Sequence, residues 1–289
     1  MPDRRRRGLA HPAGAPDRPA PRPPARRREL TPQARRRPPV GGIDYTGTDA
    51  SNMYPDYVAP LLRIADIGKI TATDIERIAA LHPDLILGPT PGSRYDNSPG
   101  AMRKAKELAP VFPVDFGTSG DWRGPLADTA RAVNRTAVHD KLKADYEADA
   151  TRLRGAYTGL LGRTRIGVLS YAQNGNYSLD LPDGSDGVVL RDTGVTWGRA
   201  GKANGDNGVE LSLEEIGRLD DCDLLLYRAD AKGAPAGGLA DVLRLPGWAH
   251  LPAVRAGHAY PITWNDVCSY RWGQLALRDF ESKLKQYAA

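Results

Sequence analysis

From Ile64 onward, short runs of leucine, isoleucine and valine alternate with stretches whose apolar positions recur every three or four residues, the pattern of α/β layering. Ile75, Ile78, Ala79 and Leu81 share one face of a helix predicted over 72–81, with Thr73 and Glu76 as its capping box and Pro83 as its stop. Residues 84–88 then read as a short buried strand, 103–108 as a second helix and 111–116 as a second strand. From Pro125 to Leu160 glycine and proline are nearly absent, and Leu126, Ala130, Val133, Val138, Leu142 and Tyr146 form a helical stripe. One unbroken helix there would run roughly 50 Å, and Asn134–Thr136 is where it would break in two. A second series follows: strand 165–171, a helix over 212–218 capped by Ser212 with Glu215, strands 223–228 and 259–263, and a closing helix over 274–286 with Leu277, Phe280 and Leu284 on one side.

The expected organisation is therefore two α/β lobes bridged by a long helix: lobe 1 over 41–124, the bridge over 125–160 and lobe 2 over 161–289. Residues 1–40 stand apart. They hold ten prolines and twelve arginines against three acidic groups, a net of +9 that leaves −4 on the rest of the chain. With almost nothing apolar to bury, this segment is expected to be disordered. It carries no aromatic residue for base stacking and no apolar core of a signal peptide, so neither a nucleic-acid partner nor a visible export signal is expected. The overall balance, 40% hydrophobic and 26% charged, suits a soluble globular protein. No apolar run approaches the roughly 18 residues of a membrane span, and two cysteines exclude a disulfide scaffold.

Ligands of α/β sheets sit beyond the carboxyl ends of the strands, and there the chain repeatedly places aromatic residues and arginine. The candidates are Arg94, Tyr95, Trp122, Tyr171, Tyr177, Trp197, Arg199, Tyr227, Arg228, Trp264, Tyr270 and Arg271. Guanidinium forks suit oxygen-rich anionic groups, and Trp or Tyr rings give flat walls at low entropy cost. The five histidines form no metal-ligand set, and no nucleophile elbow or phosphate loop can be written, so no catalytic residue, metal or cofactor is expected. Asp180, Asp183, Asp186, Asp206 and Glu210 would bind a hard cation only if a turn gathered them. The Gly/Asn-rich stretch 198–208 reads as a mobile loop.

An ordered set of motifs carries a family resemblance: Ile67-Gly68, then Asp74-Ile75-Glu76-Arg77-Ile78-Ala79-Ala80-Leu81-His82-Pro83-Asp84-Leu85-Ile86-Leu87, Ala109-Pro110-Val111, Leu211-Ser212-Leu213-Glu214-Glu215, Pro246-Gly247-Trp248 and Leu251 to Tyr260. Over about residues 43–287 the chain resembles the helical-backbone substrate-binding proteins of ABC importers for ferric siderophores, haem and cobalamin. The resemblance implies the class III substrate-binding protein fold and a ligand held between the lobes, with an Fe(III)-siderophore as the expected ligand. It also implies a monomer that works outside the cytoplasm at the membrane and docks on a permease dimer through Glu76 in lobe 1 and Glu214 in lobe 2. Residues 1–40 contain neither the leader nor the strand of the type "RVV(A/V)L" that opens such proteins. Lobe 1 is accordingly expected to lack that strand and its helix, or the start to lie elsewhere. Two other expectations compete with the receptor: a cytoplasmic relic of one, and an enzyme on the same fold.

Overall fold

The computed structural model describes residues 39–42, 55–69, 71–90, 99–115, 120–202, 208–230 and 232–289. In lobe 1, β1 (Gly41–Gly42) pairs in parallel with β2 (Ala65–Asp66), and α1 (Pro55–Leu61) lies between them in sequence. A tight antiparallel pair, β3 (Gly68–Lys69) and β4 (Ala72–Thr73), follows. Gly68 is required at its start: φ is +94°, and a Cβ would lie 2.6 Å from Ala72 O. Next come α2 (Ile75–Ala80) and a parallel β–α–β unit of β5 (Ile86–Pro89), α3 (Pro99–Leu108) and β6 (Val111–Val114). Met102 of α3 lies so close over Gly88 that a Cβ there would meet its Cε at 2.4 Å, which is why the strand carries glycine at that point.

The start of α2 differs from the expected box. Asp74, not Thr73, is the N-cap, and its carboxylate accepts from the N–H groups of Glu76 (3.0 Å) and Arg77 (3.1 Å). Thr73 is the last residue of β4, so the helix begins one carboxylate later and the Glu76 side chain is not spent on a cap. The bridge is two helices, α4 (Arg123–Ala132) and α5 (Thr136–Leu161), broken where Asn134 takes φ +55°. A left-handed residue cannot continue an α-helix, so the 50 Å rod is replaced by a short helix against β6 and a 26-residue helical segment along lobe 2, itself kinked at Tyr157 where φ is −118° and ψ 16°.

Lobe 2 is built on one twisted sheet with strand order β10–β8–β7–β11–β12. Its parallel strands are β7 (Arg165–Gln173), β11 (Leu224–Arg228) and β12 (Ala259–Ile262). β8 (Asn176–Asp180) returns antiparallel to β7 through the Asn174–Gly175 turn, whose φ values of +52° and +79° suit a two-residue hairpin. β9 (Thr196–Trp197) pairs with the start of β7, and β10 (Gly208–Ser212) pairs antiparallel with β8.

Alternation along the central strands divides the core. Leu224, Leu226, Ile166 and Val168 face α5, α6 (Gly187–Asp192) and α10 (Tyr270–Tyr287). Leu225 and Leu169 face the other side, under a 3₁₀ segment (Leu213–Leu219), α7 (Leu239–Leu243), α8 (Pro246–His250) and α9 (Pro252–Arg255). The Ser212 N–H donates to Glu215 Oε2 (3.0 Å), closing the predicted capping box, although the helix it opens is 3₁₀.

Candidate functional site

β7, β11 and β12 run in parallel, so their carboxyl ends share one edge of lobe 2. Gathered there are Ser170 and Tyr171 in the last part of β7, Arg228 ending β11, and the Trp264–Cys268 loop after β12. Asp180 at the end of β8 and Asp186 just before α6 complete the set. Arg228 is half-buried, and among the described residues its guanidinium makes no hydrogen bond or ion pair. The charges that act on it belong to Asp180, Asp186 and Asp266.

Asp186 is 3% exposed, and its two oxygens accept from the backbone N–H groups of Asp266 (3.2 Å) and Val267 (2.9 Å). It thereby ties the β12–α10 loop, in which Asp266 has φ +52°, to the N-terminus of α6. Burial, opposed by those two hydrogen bonds, pushes its pKa up to about 7. Burial first, then the neighbouring Asp186, holds Asp180 well above the usual carboxylate range, and partial desolvation raises Asp266 in the same direction although that residue keeps an exposed surface. The Cys268 thiol is pushed up to about 11 by desolvation of its sulfur and then by Asp266 and Asp186, although the residue as a whole is exposed. These carboxylates do not form a metal site: among the described residues no group of three His, Cys, Asp or Glu side chains could hold an ion. Of the other acidic candidates, Asp183 pairs with Arg191, Glu210 accepts from Tyr171, and Asp206 lies outside the described residues.

The expected aromatic wall divides. Tyr171 is half-buried at the edge, its hydroxyl donating to Glu210 Oε1 (2.9 Å). Tyr227 is half-buried too, but its ring meets Trp248 edge-on at 6.5 Å, on the α8 side of the sheet. Tyr177 and Trp264 have no exposed surface. The Tyr177 hydroxyl donates to Glu215 O (3.2 Å), and Trp264 Nε1 donates to Asp279 Oδ2 (3.0 Å), so both are core residues with satisfied polar tips.

Trp122 and Tyr270 are buried as well, in an aromatic cluster with Tyr146 and His139: Trp122–Tyr270 centroids are 5.2 Å apart, Tyr146–Tyr270 5.6 Å and His139–Tyr270 5.5 Å. Arg123, the first residue of α4, lies over the Trp122 ring and pairs with Asp192, which also accepts from the Tyr146 hydroxyl (2.6 Å). This cluster anchors the start of α4 in lobe 2.

Trp197 and Arg199 sit at the opposite edge of the sheet. β9 pairs with the first residues of β7, and the Arg199 N–H donates to Asp221, which precedes β11. Arg199 there lines a depression of about 410 Å³ with Ala200, Gly217, Arg218 and Asp220, and its guanidinium is paired with Asp220 (2.8 Å). The strand-end rule failed for this pair because the two-residue β9 does not reach the carboxyl edge. Arg271, exposed at the start of α10, reaches Asp56 of α1 at 3.6 Å, an ion pair from lobe 2 to lobe 1. Arg94 and Tyr95 lie outside the described residues. Glu76 and Glu214 are both exposed in the first turn of their helices. Sequence reading passed over Asp266. The signal available was its position four residues past the end of β12, beside Asn265.

The family model described as periplasmic binding protein matches residues 41–263. No curated protein sequence matches the chain. Among solved structures, the siderophore periplasmic binding protein from the fuscachelin gene cluster of Thermobifida fusca is 24% identical with a TM-score of 0.74, over 86% of this chain and 90% of that one. FhuD from Vibrio cholerae, solved with Fe3+-Desferal bound, is 20% identical with a TM-score of 0.66, over 85% and 90% of the two chains. FeuA from Bacillus subtilis, solved with ferri-bacillibactin, is 21% identical with a TM-score of 0.65, over 86% and 85%. These neighbours share with this chain the fold of two α/β lobes and a helical bridge.

Proposed function

The chain belongs to the periplasmic binding protein family, and from that premise we propose that it is the substrate-binding component of an ABC importer, taking a ferric siderophore between its lobes and delivering it to a permease. The observation that carries this reading is Arg228. A half-buried guanidinium at the carboxyl edge of the sheet, with none of its N–H donors engaged by a described residue and none of them sealed from solvent, is free to turn those donors to a ligand's oxygens. Metal-bound hydroxamate, catecholate or carboxylate oxygens are acceptors of the right kind. Tyr171 at the same edge supplies a ring and hydroxyl, and Arg271 at the start of α10 supplies a second guanidinium that can exchange Asp56 for ligand oxygen. Arg94 and Tyr95 are the residues proposed to close the site from lobe 1. The solved siderophore receptors of the same fold support the ligand class.

In this reading the protein works as a monomer outside the cytoplasm. Among the described residues no helix is long and apolar enough to cross a membrane. Glu76 and Glu214 are the proposed docking points on the permease, and their side chains suit that role because the helix caps are served by Asp74 and Glu215 instead. Titration of the purified protein with ferric hydroxamate, catecholate and mixed chelates, followed by tryptophan fluorescence, tests the ligand class. The expected result is saturable quenching by at least one chelate and none by the iron-free forms. Absence of quenching and of any calorimetric signal across the panel refutes the reading.

A further inference from the structure

The chain leaving β11 does not turn away at the carboxyl edge but runs on into a small hairpin. Arg228 O accepts from the Ala236 N–H (3.0 Å), Ala229 pairs antiparallel with Pro235, and the Asp230 N–H donates to Ala234 O (2.8 Å). Lys232 and Gly233 form the tip, which is fixed from within. Asp230 Oδ1 accepts from the N–H groups of Lys232 (2.8 Å) and Ala234 (3.0 Å), and the Gly233 N–H donates to Asp230 O (2.9 Å). The returning arm lies against β7. Gly237 O accepts from the Ala172 N–H (2.6 Å), and a Cβ on Gly237 would lie 3.2 Å from the Tyr171 Cβ. The hairpin is thus rooted on Tyr171 and Arg228, the two residues that mark this edge of the sheet. Four residues of chain at about 3.3 Å each let its tip stand no more than about 13 Å beyond Arg228.

Lys232 is exposed, and its ammonium makes no hydrogen bond or ion pair. The one carboxylate in the described part of the hairpin, that of Asp230, is engaged by backbone N–H groups and not by this ammonium. One pre-ordered hairpin therefore carries two cations without an ion-pair partner, Arg228 at its base and Lys232 at its tip. We infer that this hairpin is a second wall of the ligand site and that Lys232 makes the site favour ferric chelates of negative charge. The inference rests on the siderophore reading above and narrows it. Three dianionic catecholates on Fe(III) leave a trianion, whereas three monoanionic hydroxamates give a neutral complex. Arg228 donates hydrogen bonds to the oxygens of either. The Lys232 ammonium, a point charge on a flexible stem, adds a long-range attraction that only the anion feels in full. Because the turn is already ordered, little backbone entropy is lost when the ligand arrives.

The test pairs calorimetric titration with chemical footprinting. The probes are ferric enterobactin as the trianion and ferrichrome as the neutral trihydroxamate, at about 0.1 M salt. The native protein should bind the trianion more tightly. Lys232→Gln, a change at an exposed turn, should weaken the trianion about tenfold and the neutral chelate about twofold or less, and Lys232→Arg should restore most of the difference. Acetic anhydride labelling read by mass spectrometry should show Lys232 acetylated several-fold more slowly under saturating ferric enterobactin, with the exposed Lys141 and Lys285 unchanged. A neutral chelate bound more tightly than the trianion, an affinity ratio unmoved in Lys232→Gln, or Lys232 labelling unaffected by a trianion that binds overturns the role of the hairpin and leaves the siderophore reading standing. Failure of both probes and of the wider chelate panel to bind overturns the siderophore reading, and this inference with it.

Discussion

Replacing Asp192 by alanine tests how the first residue of α4 is held in lobe 2. In the native chain the Asp192 carboxylate receives the Arg123 guanidinium and the Tyr146 hydroxyl, the latter at 2.6 Å, and Arg123 also donates to that hydroxyl at 3.3 Å. Tyr146 is 1% exposed, while the side chains of Arg123 and Asp192 are 33% and 24% exposed. Removing one partner of a fully buried pair costs about 3–5 kcal/mol, and a pair that keeps a quarter to a third of its surface can recover part of that from water. A loss of about 2–3 kcal/mol is expected for Asp192→Ala, or a fall in Tm of roughly 5–10 °C for a chain of this size. Tyr146→Phe keeps the ring packing and removes one hydrogen bond to a charged acceptor, at about 1.5–2 kcal/mol. The two effects share an acceptor, so the double variant should cost little more than Asp192→Ala alone, a coupling of about 1.5 kcal/mol. Urea melts of the wild type, both single variants and the double variant supply the cycle. Strictly additive losses, or a loss for Asp192→Ala below about 0.5 kcal/mol, would show that the network does not anchor α4.

Other perturbations separate core from site. Trp264→Phe should lose about 1–3 kcal/mol with the Nε1–Asp279 hydrogen bond and leave chelate affinity within experimental error, read by melts and titration together. A Cβ at Gly187 would lie 1.7 Å from Leu181 O, so Gly187→Ala must displace the start of α6 and should melt at least 5 °C lower or fail to fold, by circular dichroism. The raised pKa of Asp186 means that the native state holds a proton which the unfolded chain has already released. That contribution to stability is complete below about pH 4 and is lost as pH rises towards about 7; Asp186→Asn should flatten this slope in denaturant melts across the range. Arg228→Ala should weaken the best chelate by about 1.5–3 kcal/mol and Arg228→Lys by less, measured by titration, because lysine restores the charge without the planar fork.

The alternation that made Leu224–Leu226 a strand and the three-and-four spacing of Leu277, Phe280 and Leu284 were legible because burial imposes them directly. Many short elements carried too little pattern to read, among them α1, α6, α7, α8, α9 and the two-residue strands β1 to β4 and β9, because so few residues do not express a periodicity. The break at Asn134 was visible as a residue type that tolerates a left-handed backbone. The shift of the α2 cap from Thr73 to Asp74 was not, since both can cap and the choice was made by the β3–β4 pair that claims Thr73.

Reading the strand ends puts Tyr171 and Arg228 towards the carboxyl edge of the lobe 2 sheet, and that is where they lie in the fold. The same rule also selected Tyr177 and Trp264, because an aromatic residue at a strand end can turn into the core as readily as out of it. The carboxylates around Arg228 come from three separate segments, and nothing local in the sequence announces that they meet.

The central claim, that a ferric siderophore is held at the carboxyl edge of the lobe 2 sheet, is tested most directly by amide hydrogen exchange with and without a saturating ferric trihydroxamate. The account predicts new protection in 170–173, 227–230 and 264–271, with none around 199–202 and 217–220 at the opposite edge. Protection confined to that opposite edge, or no protection despite measured binding, would contradict it.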